Sequence, residues 1–199
     1  MPLVRKPSGP PAAAASFASL TAGTSDERWA AARAAADRPE GVKMLAAALG
    51  EESDPRVRAA IFSSLARIAT VESADVVVPY LRSEDANVRA GAIDALRAMP
   101  RACESLLPGL LRDRDPAVRL LSCELVRGLP DAEANRLLCT LLEGETEKNV
   151  CAAALEVLAE IGLPAALPYV QACARRFEGD PFIAFSIKIA TDRIAVRPT

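Results

Sequence analysis

Residues 54–65 read DPRVRAAIFSSL, residues 85–96 read DANVRAGAIDAL, and residues 115–126 read DPAVRLLSCELV. The three stretches share one pattern: an Asp, an apolar residue three places on, and an Arg four places on. Two looser copies follow, EKNVCAAALEVL at 147–158 and DPFIAFSIKIAT at 180–191, and a degenerate one, DERWAAARAAAD, precedes them at 26–37. With starts at 26, 54, 85, 115, 147 and 180, the pattern returns every 28–33 residues. A self-similar period of that size marks a chain assembled from stacked units.

Each copy has helical spacing. Val57, Ile61, Leu65 and Ile68 recur at intervals of four, four and three, which places them on one buried stripe. Val88, Ala92, Leu96 and Met99 fill the same places in the next copy, and Val118, Ser122, Val126 and Leu129 in the one after. The Asp ahead of each stripe is a helix N-cap, and Pro55, Pro116 and Pro181 take the first helical position, where a missing N–H costs nothing. Second apolar segments lie between: Gly41–Leu49, Ala74–Leu81, Cys103–Leu111, Ala132–Leu142 and Pro164–Phe177. Val76-Val77-Val78 alone resembles a strand, but its phase in the repeat predicts helix. One unit is therefore two antiparallel helices, too small to bury its own apolar face and stabilised by its neighbours.

Composition agrees. Forty alanines and 4% aromatics in 199 residues favour helices over a sandwich or barrel. There is no histidine, which removes His-based triads and most catalytic zinc or iron sites. Twenty-four basic against 26 acidic side chains leave a net charge of -2, with no electrostatic footprint for nucleic acid. No apolar run approaches the ~20 residues of a membrane-spanning helix. Cys103, Cys123, Cys139, Cys151 and Cys173 are odd in number and form no C-x-x-C pair, so they read as buried thiols of a reducing, cytoplasmic protein, with no metal and no cofactor expected. No P-loop, G-x-G-x-x-G or G-x-S-x-G occurs, and no catalytic residue stands out.

The D-P-x-V-R-x-x-A-x-x-x-L pattern resembles the HEAT-like repeats of the phycobilisome-lyase type, over roughly residues 26–195. The resemblance implies an all-α, right-handed α-solenoid of helical hairpins over residues 25–197, about eleven helices in all. Residues 1–24 lie outside the repeat and read as a flexible tail, within which Ala12–Leu20 could add a short helix. It implies that the Asp-initiated helices line the concave side, and that Asp54, Asp85 and Asp115 form a structural ladder with Arg58, Arg89 and Arg119. Ala30, Cys151 and Ala184 stand at the arginine place in the other copies, so the ladder is expected only in the middle three. Relatives of this kind include iron-dependent hydroxylases, excluded here by the missing histidine, and bilin lyases, which remain the alternative reading. Others occur beside chemosensory and two-component systems, which suggests a signalling protein as partner.

The places two, five and nine beyond each Asp fall off the core stripe and share one exposed line. Asp94, Glu124 and Glu156 hold the ninth place in successive copies, with Asn87, Leu120 and Asn149 beside them and Arg97 and Arg127 a turn further on. These eight are the candidate protein-binding residues, expected to act in a non-catalytic adaptor that binds another protein, not nucleic acid or membrane. In the tail, Leu3-Val4 followed by Arg5-Lys6 is a possible docking motif.

Overall fold

The computed structural model describes residues 17–196, and everything below refers to them; the Leu3–Lys6 motif lies outside them. Thirteen α-helical segments and two short 3-10 turns account for the regular structure, and no strand occurs among these residues. The described residues divide into two compact units, one ending at Ile68 and the other beginning at Ala69.

The first unit contains α1 (Phe17–Thr21), α2 (Ser25–Ala35), α3 (Gly41–Glu51) and α4 (Pro55–Ile68). Helix α2 packs on α4, and α1 and α3 lie together beside them. Ala31, Ala32 and Ala35 of α2 are buried, as are Val57, Ile61 and Leu65 of α4. Each large aliphatic removed from water in this way contributes about 1.5–3 kcal/mol. Helix α2 starts two residues earlier than the sequence pattern suggests. Its N-cap is Thr24, whose hydroxyl accepts from the Glu27 N–H while the Glu27 carboxylate accepts from the Thr24 N–H, a reciprocal cap.

The second unit holds α5 (Val71–Val77), continued by a 3-10 turn at Val78–Arg82, then α6 (Ala86–Arg97), α7 (Pro100–Cys103), α8 (Leu107–Leu110), α9 (Pro116–Val126), α10 (Asp131–Gly144), α11 (Lys148–Ile161), a second 3-10 turn at Pro164–Ala166, α12 (Leu167–Arg176) and α13 (Pro181–Ala195). Helices α6, α9, α11 and α13 pack one on the next in a single layer, with α11 between α9 and α13. The intervening segments form the other layer. The count exceeds eleven by two: α1 forms within residues 1–24, expected as a tail, and the segment expected as one helix over Cys103–Leu111 is split. Pro108 lacks the N–H that would continue a helix from α7 through it, so two short pieces replace one. Val76–Val78 is helical, as its phase requires.

Four of the N-caps are those the repeat implies. Asp85 accepts from the Asn87 N–H at 2.8 Å, Asp115 from Ala117 at 2.9 Å, and Asp180 from Phe182 at 2.9 Å. Asp54 does the same for Arg56 at 2.9 Å. Val57 and Val118 are wholly buried and Val88 nearly so, with 7% exposure. All five cysteines are buried free thiols. Burial pushes the Cys103 and Cys139 thiols up to about 11 and Cys123 up to about 12, which leaves them protonated and inert at neutral pH. No described helix is long and apolar enough to cross a membrane.

Candidate protein-binding site

The arginines of the repeat do their work at the loops. Arg58 donates to the Glu52 carbonyl at 2.8 Å, Arg89 to Ser83 and Glu84 at 2.6 and 2.9 Å, and Arg119 to Asp113 at 2.8 Å. Each guanidinium thus satisfies carbonyls just before its own helix, while the Asp carboxylate is engaged by N–H groups at the helix start. The bidentate partners are glutamates two residues ahead of the next cap. Arg119 grips Glu145 through Nε at 2.6 Å and Nη2 at 2.9 Å, and Arg28 grips Glu52 at 2.8 and 3.1 Å.

Arg28 overturns the expectation that the first copy lacks its arginine. With the cap at Thr24 and not Asp26, Arg28 and not Ala30 stands four residues on. The sequence reading missed Glu52 and Glu145 as well. Their signal was a Glu at the same offset before two of the repeat helices. Both carboxylates are almost fully buried, with 4% and 3% of the side chain exposed. Arg28 holds the Glu52 carboxyl below its ordinary range. At Glu145 burial pushes upward, but the Arg119 guanidinium and the N–H groups of Glu147 and Thr146 outweigh it, and this carboxyl too lies below its ordinary range.

The exposed line behaves differently. Arg97 on α6 lies 3.8 Å from Asp94 and donates to Glu124 on α9 at 3.0 Å. The same Glu124 oxygen accepts from Arg127 at 3.1 Å, and Arg127 reaches Glu160 on α11 closely and Glu156 at 3.8 Å. The three carboxylates therefore do not stand as a bare acidic row. Two arginines lace them together, because they occur one turn beyond the acids and stacking brings them between successive carboxylates. Asp94 and Glu156 are the least compensated, each 3.8 Å from its arginine, with 74% and 68% of the side chain exposed.

A groove of about 680 Å³ runs beside this line. Alanines 152, 153 and 159 of α11 form its floor, Leu120 and Glu124 of α9 one wall, and Phe182, Phe185 and Ile189 of α13 the other. Of the eight candidate residues, Leu120, Glu124, Asn149 and Glu156 line the groove. Leu120 is half-buried there, not freely exposed. Arg97 and Arg127 sit at its edge through their pairs with Glu124, while Asn87 and Asp94, both exposed on α6, lie outside it.

Phe182 and Phe185 were missed, although they occupy the second and fifth places beyond Asp180, the same places that pointed to Asn149 and Leu120. They remain 51% and 66% exposed, the largest apolar side chains so placed among the described residues. Their offset from Asp180 fixes the reason: Ile183, Ala190 and Ile194 take the buried stripe of α13, so the phenylalanines project from its other side.

Comparisons with known structures show a similar fold. The archaeal HEAT-like repeats protein from Thermococcus onnurineus NA1 is 17% identical, with a TM-score of 0.53 over 90% of this chain and 85% of that one. A chain from the structural work on microtubule plus end tracking by XMAP215, CLIP-170 and EB1 is 15% identical, with a TM-score of 0.58 over 92% of each. At such identities the likeness is one of fold. No curated protein sequence matches. The repeating hairpins, their caps and their arginines recur in sequence as well as in space: a profile of HEAT repeats matches residues 14–97 and 103–181, most of the chain. This protein belongs to the HEAT repeat family.

Proposed function

We propose that the chain is a non-catalytic adaptor that binds another protein through the groove along α11. The observation behind this reading is the pair Phe182 and Phe185, two large apolar side chains left in water on one wall of a groove whose opposite edge is charged. A soluble chain gains by covering such a patch, and an apolar centre with a polar rim is the anatomy of an interface. HEAT repeat folds commonly act as protein-interaction scaffolds, and a signalling protein is the partner class that the sequence resemblance suggests.

The test places a photo-crosslinking amino acid at position 185, and another at exposed Arg136 on α10 in the opposite layer, in the source cell. One discrete adduct from position 185, lost in a Phe182→Asp variant, is the expected result. Adducts from position 136 alone would move the working surface to the other layer. An absorbance shift on adding bilin, abolished by Phe185→Asp, would replace protein binding with chromophore handling.

A further inference from the structure

The groove has a direction and a charge, and both narrow what fits it. Its lining on α11 runs from Asn149 to Glu160, and on α13 from Phe182 to Arg193, so it lies lengthwise between these helices. Eleven residues of helix rise about 16 Å, or three turns. Small side chains occupy the floor at Ala152 and Ala153, with Leu120 on one side and Phe182, Phe185 and Ile189 on the other.

Backbone chemistry separates a helical occupant from an extended one. The N–H and C=O groups along α11 are spent within that helix, so the floor offers no ladder to an incoming strand. The lining holds one carboxamide, Asn149, and it is at the end. An extended peptide would lose water from its backbone without replacement, whereas a helix brings its own hydrogen bonds.

Charge fixes the flank. The α9–α11 edge gathers Glu124, Glu156 and Glu160 around Arg97 and Arg127, three carboxylates to two guanidiniums. That edge keeps an excess of negative charge, most exposed at Glu156, and the α13 edge is aromatic along most of its length, with Arg193 at its end.

From these features we infer that the occupant is an amphipathic α-helix of about three turns. It lays apolar residues at i, i+3 or i+4, and i+7 between Leu120 and the phenylalanines, with Lys or Arg on the flank facing Glu156 and Glu160. The inference rests on the groove being the protein-binding surface and adds the class of its partner.

The experiment is a selection against the whole protein from two displayed libraries, one of helical peptides and one of extended, proline-flanked peptides. Enriched helical sequences should share the i, i+3/i+4, i+7 apolar spacing with basic residues on one flank. The strongest one, synthesised, should bind wild type and weaken at least about tenfold on Phe185→Asp, roughly 1.4 kcal/mol. Glu156→Lys should weaken it severalfold at low salt and flatten its salt dependence. Both positions are exposed, so melting curves matching wild type confirm that the variants fold. Winners that are acidic or extended, yet lost on Phe185→Asp, overturn the partner class and leave the groove as the site. Winners indifferent to Phe185→Asp, or no enrichment from either library, overturn both.

Discussion

Arg119 and Glu145 meet across two successive hairpins with both carboxylate oxygens engaged, and one of them, Oε1, also accepts from the N–H groups of Thr146 and Glu147. A nearly buried carboxylate held by four donors is stable only while its partners stay. Replacing Glu145 with Ala should therefore cost about 3–5 kcal/mol, the usual penalty for stripping one member of a buried pair. Arg119→Lys should recover only part of the stability, since a single ammonium cannot span both oxygens. Urea melts of the two variants check the order.

The same pair predicts an acid limb. The Glu145 carboxyl is depressed in the folded chain, so its contribution is complete above the ordinary glutamate value of about 4.3 and is lost as pH falls below it. Glu145→Gln removes that titration. Stability plotted from pH 7 down to acid should fall less steeply for Glu145→Gln than for wild type. Parallel curves would show that other carboxylates dominate acid unfolding.

Val88→Asp and Val118→Asp test the repeat phase. Both valines face the packed interior, and an unpaired carboxylate there costs several kcal/mol, enough to unfold a domain of ordinary stability. An unaltered melting temperature in either would contradict the stripe.

Glu124 and Glu156 hold equivalent places in successive repeats, yet their substitution should differ. Glu124 lies between Arg97 and Arg127, so Glu124→Lys crowds three cations and should lower stability by about 1 kcal/mol. Glu156→Lys, at an exposed site, should change it by less than ~0.5 kcal/mol. Thermal melts of the single variants decide this, and Glu156 is the place to reverse charge without disturbing the fold.

Gly162 ends α11 where no side chain fits. A Cβ there would lie 2.2 Å from the Leu158 carbonyl oxygen and 2.6 Å from Ile194 on α13. Gly162→Ala should cost about 1–3 kcal/mol by forcing these apart. Ala69, after α4, is the opposite case: it holds a φ of 55°, where a Cβ is strained. Ala69→Gly should stabilise by up to ~1 kcal/mol. Calorimetry of the two variants should show shifts of opposite sign.

The hairpin repeat, its caps and its buried stripe were legible in the sequence because they depend on local rules. An Asp cap with Pro after it, or an apolar residue three places on, starts the helices at 55, 86, 116 and 181, and i, i+4 spacing sets which face is buried. Where a local rule was misapplied, at Asp26 instead of Thr24, one ladder arginine was lost from view, and the capping box of Thr24 with Glu27 was the signal that went unread. The eight candidate residues were found by the same periodicity, but periodicity gives only the line on which a side chain stands. Whether Glu124 stays a free charge depends on Arg97 reaching it from a helix 27 residues away. That Leu120, Ala152 and Phe185 enclose one groove depends on α11 lying between α9 and α13. Helical spacing is a property of neighbours in the chain. Charge compensation and cavity shape are properties of neighbours in space, and only the packing of the layer decides which side chains those are.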